Sequence, residues 1–160
     1  MALAIDDNRV ELACLEVRGQ LFGIDVQQIR EIVRSQAVTP LPKAPGLIEG
    51  VIDLRGTIVP VIDLARALGN APSAEGPRTR IAIVEVEGLV FGLRVDAAAD
   101  VLAVAAADVD GPPPLVAQAG YDAVRAVVRR EGGEPALVLS LEHLLESVYR
   151  SALVSPGEDG

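Results

Sequence analysis

Tryptophan is absent from this chain, and two tyrosines and two phenylalanines are its only aromatic rings apart from one histidine. A stacking platform for nucleobases needs such rings beside concentrated positive charge. Here 14 basic residues face 23 acidic ones, a formal net charge of −9, and no segment gathers the basic ones. Nucleic acid is not an expected partner, and an anionic membrane surface is disfavoured for the same reason. The single cysteine, Cys14, excludes an internal disulfide and suits a reducing compartment. Within "ELACLEV" it reads as a small buried hydrophobe. No apolar run approaches the roughly 20 residues needed to span a bilayer. The opening "MALAIDDNRVEL" has no basic region followed by an apolar block. The expectation is a soluble, cytoplasmic chain with no direct membrane insertion.

Chemistry is equally scarce. The one histidine, His143, lies between leucines in "SLEHLLES", a solvent-facing helix position rather than that of a base or ligand. Without a second histidine or a cysteine cluster, a metal site would rest on carboxylates alone. No G-x-S-x-G, P-loop or G-x-G-x-x-G pattern occurs. Asp53 and Asp63, ten positions apart in two "VIDL" runs, suit a strand end and a helix cap better than an acid/base pair. No catalytic residue, metal site or cofactor is expected, and the chain reads as a binding module. An enzyme using Asp53, Asp63 or His143 is the rival reading.

What the chain does contain is a repeat. "LEVRGQLFGIDVQQIREIV" (15–33) aligns without a gap onto "VEVEGLVFGLRVDAAADVL" (84–102) at an offset of 69. Glu16/Glu85, Val17/Val86, Gly19/Gly88, Phe22/Phe91, Gly23/Gly92 and Val26/Val95 are identical. Each copy continues through a proline-rich stretch, "TPLPKAP" or "GPPP", to an apolar run, "VIDLARAL" or "VLSLEHLL". Two copies of this period point to two homologous lobes rather than a solenoid. Lobe one is expected at about 10–70 and lobe two at about 81–150. The exposed connector falls at 69–80 and a frayed tail at 155–160.

Alternation around "RGQ" and "EGL" indicates a hairpin in each copy, and "GVIDL" and "TIVPVIDL" flank "RG" as a further one. Pro60 places the later strand at an edge or a bulge. Asp63 and Ser140 suit helix N-caps, and Leu141, Leu144, Leu145 and Val148 form an apolar stripe on a terminal helix. The fold class is mainly β, with small closed barrels that hide their edges.

The run "FGIDVQQIREIV … TPLPKAPGLIEGVIDLRGTIVPVIDLARALG" resembles the CheW family, in which "G-V-x-N-L-R-G-x-I-x-P-V-x-D-L" follows a "P-x-x-P" stretch. "FGLRVDAAADVLAV" is similar to that family's second-half segment, and the resemblance covers about Leu12 to Val148. It implies one CheW-like domain over 1–160, built of two five-stranded SH3-like barrels around a shared apolar core. It also implies a non-catalytic adaptor between a CheA-type histidine kinase regulatory domain and the cytoplasmic tips of methyl-accepting chemoreceptors. Receptor arrays at the inner face of the membrane are then its location. The chain has no room for kinase or receiver domains, which suits the stand-alone coupling protein. By the same resemblance Ile29, Glu31, Arg55 and Gly56 are candidate receptor contacts, and Ile58 and Val59 candidate kinase contacts. The plainer readings are a short helix that buries Ile29, a turn that turns Arg55 to water, and a core that absorbs Ile58 and Val59. Asp53 stands where the family has Asn, two residues from Arg55 and able to pair with it. Alanines in "VDAAADV" replace larger side chains, so a divergent member that binds only one partner, as a modulator or array filler, is the alternative.

Overall fold

Three two-residue turns set the local architecture. Arg18–Gly19, Arg55–Gly56 and Glu87–Gly88 all have positive φ at both positions, between 52° and 90°. That is the hairpin turn whose twist matches paired strands, and its second position favours glycine. The computed structural model describes residues 5–6, 9–44, 46–112, 114, 123–130 and 132–153. Its strands are β1 (Ile5–Asp6), β2 (Arg9–Val17), β3 (Gln20–Asp25), β4 (Ile29–Arg34), β5 (Ile48–Leu54) and β6 (Thr57–Asp63). They continue with β7 (Arg80–Val86), β8 (Leu89–Val95), β9 (Ala97–Ala105), β10 (Val109–Asp110), β11 (Val124–Val128) and β12 (Ala136–Leu139). Helix α1 (Leu64–Ala67) follows β6, and α2 (Leu141–Leu153) follows β12.

The strands form two sheets of matching design. One runs β4-β7-β8-β6-β5, and the other contains β9-β2-β3-β12-β11, extended by β1 and β10. In the first, β6 lies parallel to β8; in the second, β12 lies parallel to β3. Each opening hairpin therefore sits in the sheet of the other half of the chain. This corrects the expected lobes at about 10–70 and about 81–150: the repeat is real, but each barrel draws on both halves. Periodicity specifies which face a strand buries and is silent on which neighbour it pairs with.

Both sheets curl into barrels in the same way. After β4 the chain returns to β5, where Thr39 N–H donates to Val51 O at 2.8 Å and Val51 N–H donates to Thr39 O at 2.9 Å. A Cβ at Gly50 would collide with the Thr39 carbonyl, so this closure needs glycine there. In the second barrel, β10 plays that part by pairing with β11. Pro60 is not at an edge, because β6 lies between β8 and β5. Its partner Val51 spends its own N–H and C=O on Thr39, so the missing proline donor costs no bond to β5. The pairing of β6 with β8 starts only at Val61.

Among the described residues three apolar cores result. Val10, Leu12, Val128 and Val138 fill the second barrel, and Ile52, Val59, Val61, Ile81 and Ile83 fill the first. The largest lies between the barrels and takes the opposite faces of both exchanged hairpins: Leu15, Val17, Phe22, Val84, Val86 and Phe91. Leu141, Leu144 and Val148 of α2 complete it, the expected stripe. The shared "FG" now has a cause. Each Phe enters the central core, while a Cβ on the next glycine would press on the barrel residue across the hairpin. For Gly23 that is Leu12, at 3.2 Å; for Gly92 it is Ile81, at 2.7 Å. Leu12 and Ile81 are themselves related by the offset of 69. The connector at 69–80 is mostly exposed but buries Ser73 and Thr79. The tail expected at 155–160 lies outside the described residues.

Candidate functional site

The "QQIREIV" stretch is a 3₁₀ turn followed by a strand, not a short helix. Asp25 caps the turn by accepting from Gln27 N–H at 2.9 Å, and β4 then extends from Ile29. Ile29 is half-buried against the central core, while Glu31 lies beyond a bulge in the pairing with β7. Glu31 and Arg55 come from opposite ends of one strand order, yet their side chains form an ion pair at the barrel rim. The Arg55 side chain keeps 68% of its exposure and the Glu31 side chain keeps 36%. Two residues selected separately thus form one charged feature open to solvent.

Asp53 takes no part in that pair. Its carboxylate accepts from Gly56 N–H at 2.7 Å and so holds the tight turn from below. The expected Asp53–Arg55 pairing is replaced by a turn cap, which leaves Arg55 directed to Glu31.

The two candidate kinase contacts part company. On β6 the side chains alternate, so Ile58 stands outward with 62% exposure while Val59 is 2% exposed inside the first barrel. Val59 is a core residue and offers no surface to a partner, which corrects its place among the contacts. Ile58 lies opposite Asp53 on the outer face of the β5–β6 hairpin, followed by half-buried Pro60 and Val51.

The carboxylates that suggested a rival enzyme are structural. Asp63 caps α1 by accepting from Ala65 N–H at 3.0 Å and holds the connector by accepting from Ser73 N–H at 3.0 Å. His143 is exposed on α2, where the Ser140 hydroxyl caps the helix and lies 2.7 Å from His143 Nδ1. Asp53 closes a turn elsewhere, so the three do not converge. Among the described residues no group of three His, Cys, Asp or Glu side chains is placed to hold a metal.

Among the described residues the buried guanidinium is that of Arg94, which sequence reasoning passed over. It is 6% exposed on β8. Its Nε and Nη2 donate to the two oxygens of Glu49 at 2.9 Å each, and Nη2 also donates to Asp63 Oδ2 at 3.1 Å and Ser73 O at 3.3 Å. Burial alone would push its pKa down. Hydrogen bonding and charge from Glu49, then Asp63 and Glu75, outweigh that and leave it above the ordinary arginine value. The available signal was a charge inside an apolar strand, "VFGLRVD", aligned with the charge of Asp25 in "LFGIDV". The network ties the exchanged second hairpin to the first half of the chain.

Comparison with known proteins agrees with this architecture. The CheW-like domain family matches residues 11–149. The chain is 32% identical to the chemotaxis protein CheW of Treponema pallidum (strain Nichols), over 91% of this chain and 87% of that one. It is 33% identical to the chemotaxis protein CheW of Rhizobium meliloti (strain 1021), over 89% and 91%. To the protein FrzA of Myxococcus xanthus it is 31% identical, over 89% of each. The crystal structure of the scaffolding protein TtCheW from Thermoanaerobacter tengcongensis superposes with a TM-score of 0.76 at 30% identity. That match covers 85% of this chain and 92% of the other.

Proposed function

Since the chain belongs to the CheW-like domain family, we propose that it is a chemosensory scaffold that couples chemoreceptors to a CheA-type histidine kinase without performing a reaction. The observation that carries this reading is the span of the family match, 11–149, which takes in both barrels and the terminal helix. On this reading the Glu31–Arg55 pair, with Gly56 and the half-buried Ile29 beside it, receives the cytoplasmic tip of a receptor. A fixed guanidinium fork on a rigid hairpin turn suits acceptors on a partner helix. Ile58, an isoleucine held in water on the outer face of the same hairpin, is the kinase contact. Rim and outer face adjoin on one hairpin, and the coupling reading requires that it take both partners at once. The protein then works at receptor arrays on the inner face of the membrane. Among the described residues no helix is long and apolar enough to cross a membrane.

The test mixes the purified chain with a CheA regulatory domain and a receptor-tip helical hairpin, separately and together, and follows complexes by sedimentation. Binding of each, and a ternary species, is expected. A complex with one partner alone replaces the coupling role with that of a modulator or array filler. No complex with either removes the reading.

A further inference from the structure

We propose that the open edge of β9 over Val101–Ala105 binds an extended segment of a partner protein, apolar in its middle and basic at both ends. Among the described strands β9 pairs only with β2, so half of its backbone N–H and C=O groups point away without a partner. Such a row is a template for another extended backbone. The register with β2 shifts between Ala98 and Val101 but runs without a break from Val101 to Ala105. That leaves a regular edge of about 17 Å. It belongs to the second barrel, whereas Glu31, Arg55 and Ile58 belong to the first.

The twin strand β4 shows what β9 lacks. It too ends its sheet, pairing only with β7 among the described strands. Arg30 and Arg34 stand on it, and Arg30 is paired with Glu85 at 3.1 Å. At the offset of 69 their counterparts are Ala99 and Ala103. Charged side chains are a common protection of a sheet edge against added strands, and β9 carries neither arginine. No charge and no proline occurs from Val101 to Ala105. Val101 is 55% exposed, and Leu102 and Val104 are only half-buried against the core of the second barrel. A strand laid alongside would complete their cover.

Charge selects the occupant. Asp100 and Asp108 bracket the edge and Glu11 stands opposite Ala103 on β2, all three exposed. Among the described residues none of the three is in an ion pair. Arg9 lies opposite Ala105 at one end, and Arg129 is held by Asp110 at 3.3 Å. A second copy of this chain would set like charges side by side, each copy carrying −9. Lysine or arginine on both sides of an apolar strand meets the two aspartates in either direction of pairing.

The full chain, isotopically labelled, is titrated with a blocked peptide of alternating valine and threonine, as long as this edge, with a pair of lysines at each end. Backbone amides are followed by NMR, and saturable shifts centred on Val101–Ala105 are expected. A peptide of the same charge with adjacent prolines at its centre lacks the backbone donors and should not saturate. Glutamates in place of the lysines should weaken binding by about tenfold or more at low salt. Ala103→Arg gives β9 the charge that Arg34 gives β4. It should weaken the lysine peptide by about tenfold and leave the melting temperature nearly unchanged, because Ala103 is exposed. Absent or unsaturable shifts overturn the proposal. So does equal binding of the proline or the glutamate peptide, or unaltered binding to the Ala103→Arg chain. Shifts of the same amides with protein concentration alone, together with a dimer in sedimentation, make a second copy the occupant and overturn the basic partner.

Discussion

Arg55 and Glu31 meet across the rim of a barrel whose strand order places β4 at one end and the β5–β6 hairpin at the other. The pair has a structural aspect, since it ties the two edges that Thr39 and Val51 also join. Its exposure limits that contribution to about 1 kcal/mol at most. For a domain of this size, Arg55→Glu should lower the melting temperature by only about 2–4 °C. Affinity for a receptor-tip hairpin, measured by calorimetry, should fall by about tenfold or more if Arg55 meets a desolvated acceptor. The double reversal Glu31→Arg with Arg55→Glu should recover the stability and not the binding. Binding that returns with stability would make the pair a structural brace alone.

Ile58 and Val59 are neighbours with opposite surroundings, and their variants should separate accordingly. Ile58→Asp should leave thermal unfolding nearly unchanged and weaken association with a CheA regulatory domain. Val59→Ala should cost about 2 kcal/mol through the cavity it opens in the first barrel. Loss of kinase binding at full stability in Val59→Ala would contradict the inward orientation of Val59 on β6.

The repeat, the hairpin turns, both helix caps and the stripe on α2 were legible because each is local or keeps a constant offset. The exchange of hairpins was not. Leu15 and Val17 bury the same face whichever sheet accepts them, so alternation carries no record of the neighbour. Arg94 was missed for a related reason: Glu49 and Asp63 lie 45 and 31 residues away. Arg55 stands inside the apolar run "GVIDLRGTIVPVIDL", yet its turn hands it to solvent. For "QQIREIV", Ile29, Ile32 and Val33 fit a helical spacing as well as a strand, and pairing with β7 decides for the strand. Parity could not orient Ile58 and Val59, because β6 carries apolar side chains on both faces.

Cys14, on β2, is 3% exposed. Burial pushes its thiol pKa up, Arg130 draws it down in part and Asp100 adds to the rise. A thiol whose folded value is raised contributes stability that is fully present below the unfolded value and lost as pH rises through the folded one. The unfolded value is roughly 8.5, so the stability difference between the native chain and Cys14→Ala should narrow as pH climbs above about 8.5. Iodoacetamide should label the native protein slowly at neutral pH and rapidly once denaturant is added. Fast native labelling would contradict the burial.

Arg94 supplies the sharpest stability test, because its Nε and Nη2 donors are spent inside the protein. Arg94→Met keeps much of the volume and removes the charge, leaving Glu49 and the 1% exposed Asp63 without their cation. Breaking a buried pair in this way costs about 3–5 kcal/mol, a fall in melting temperature of about 10 °C or more. Arg94→Lys should fall in between, since an ammonium retains the charge but lacks the planar fork that grips both Glu49 oxygens. Glu75→Gln should cost little, because that side chain is 62% exposed and its carboxylate is 3.6 Å away. The order Met, Lys, then Gln, from most to least destabilised, separates a latch that holds the exchanged hairpin from a cluster whose charges merely coexist. A Met variant as stable as the parent would mean that apolar packing alone secures the exchange.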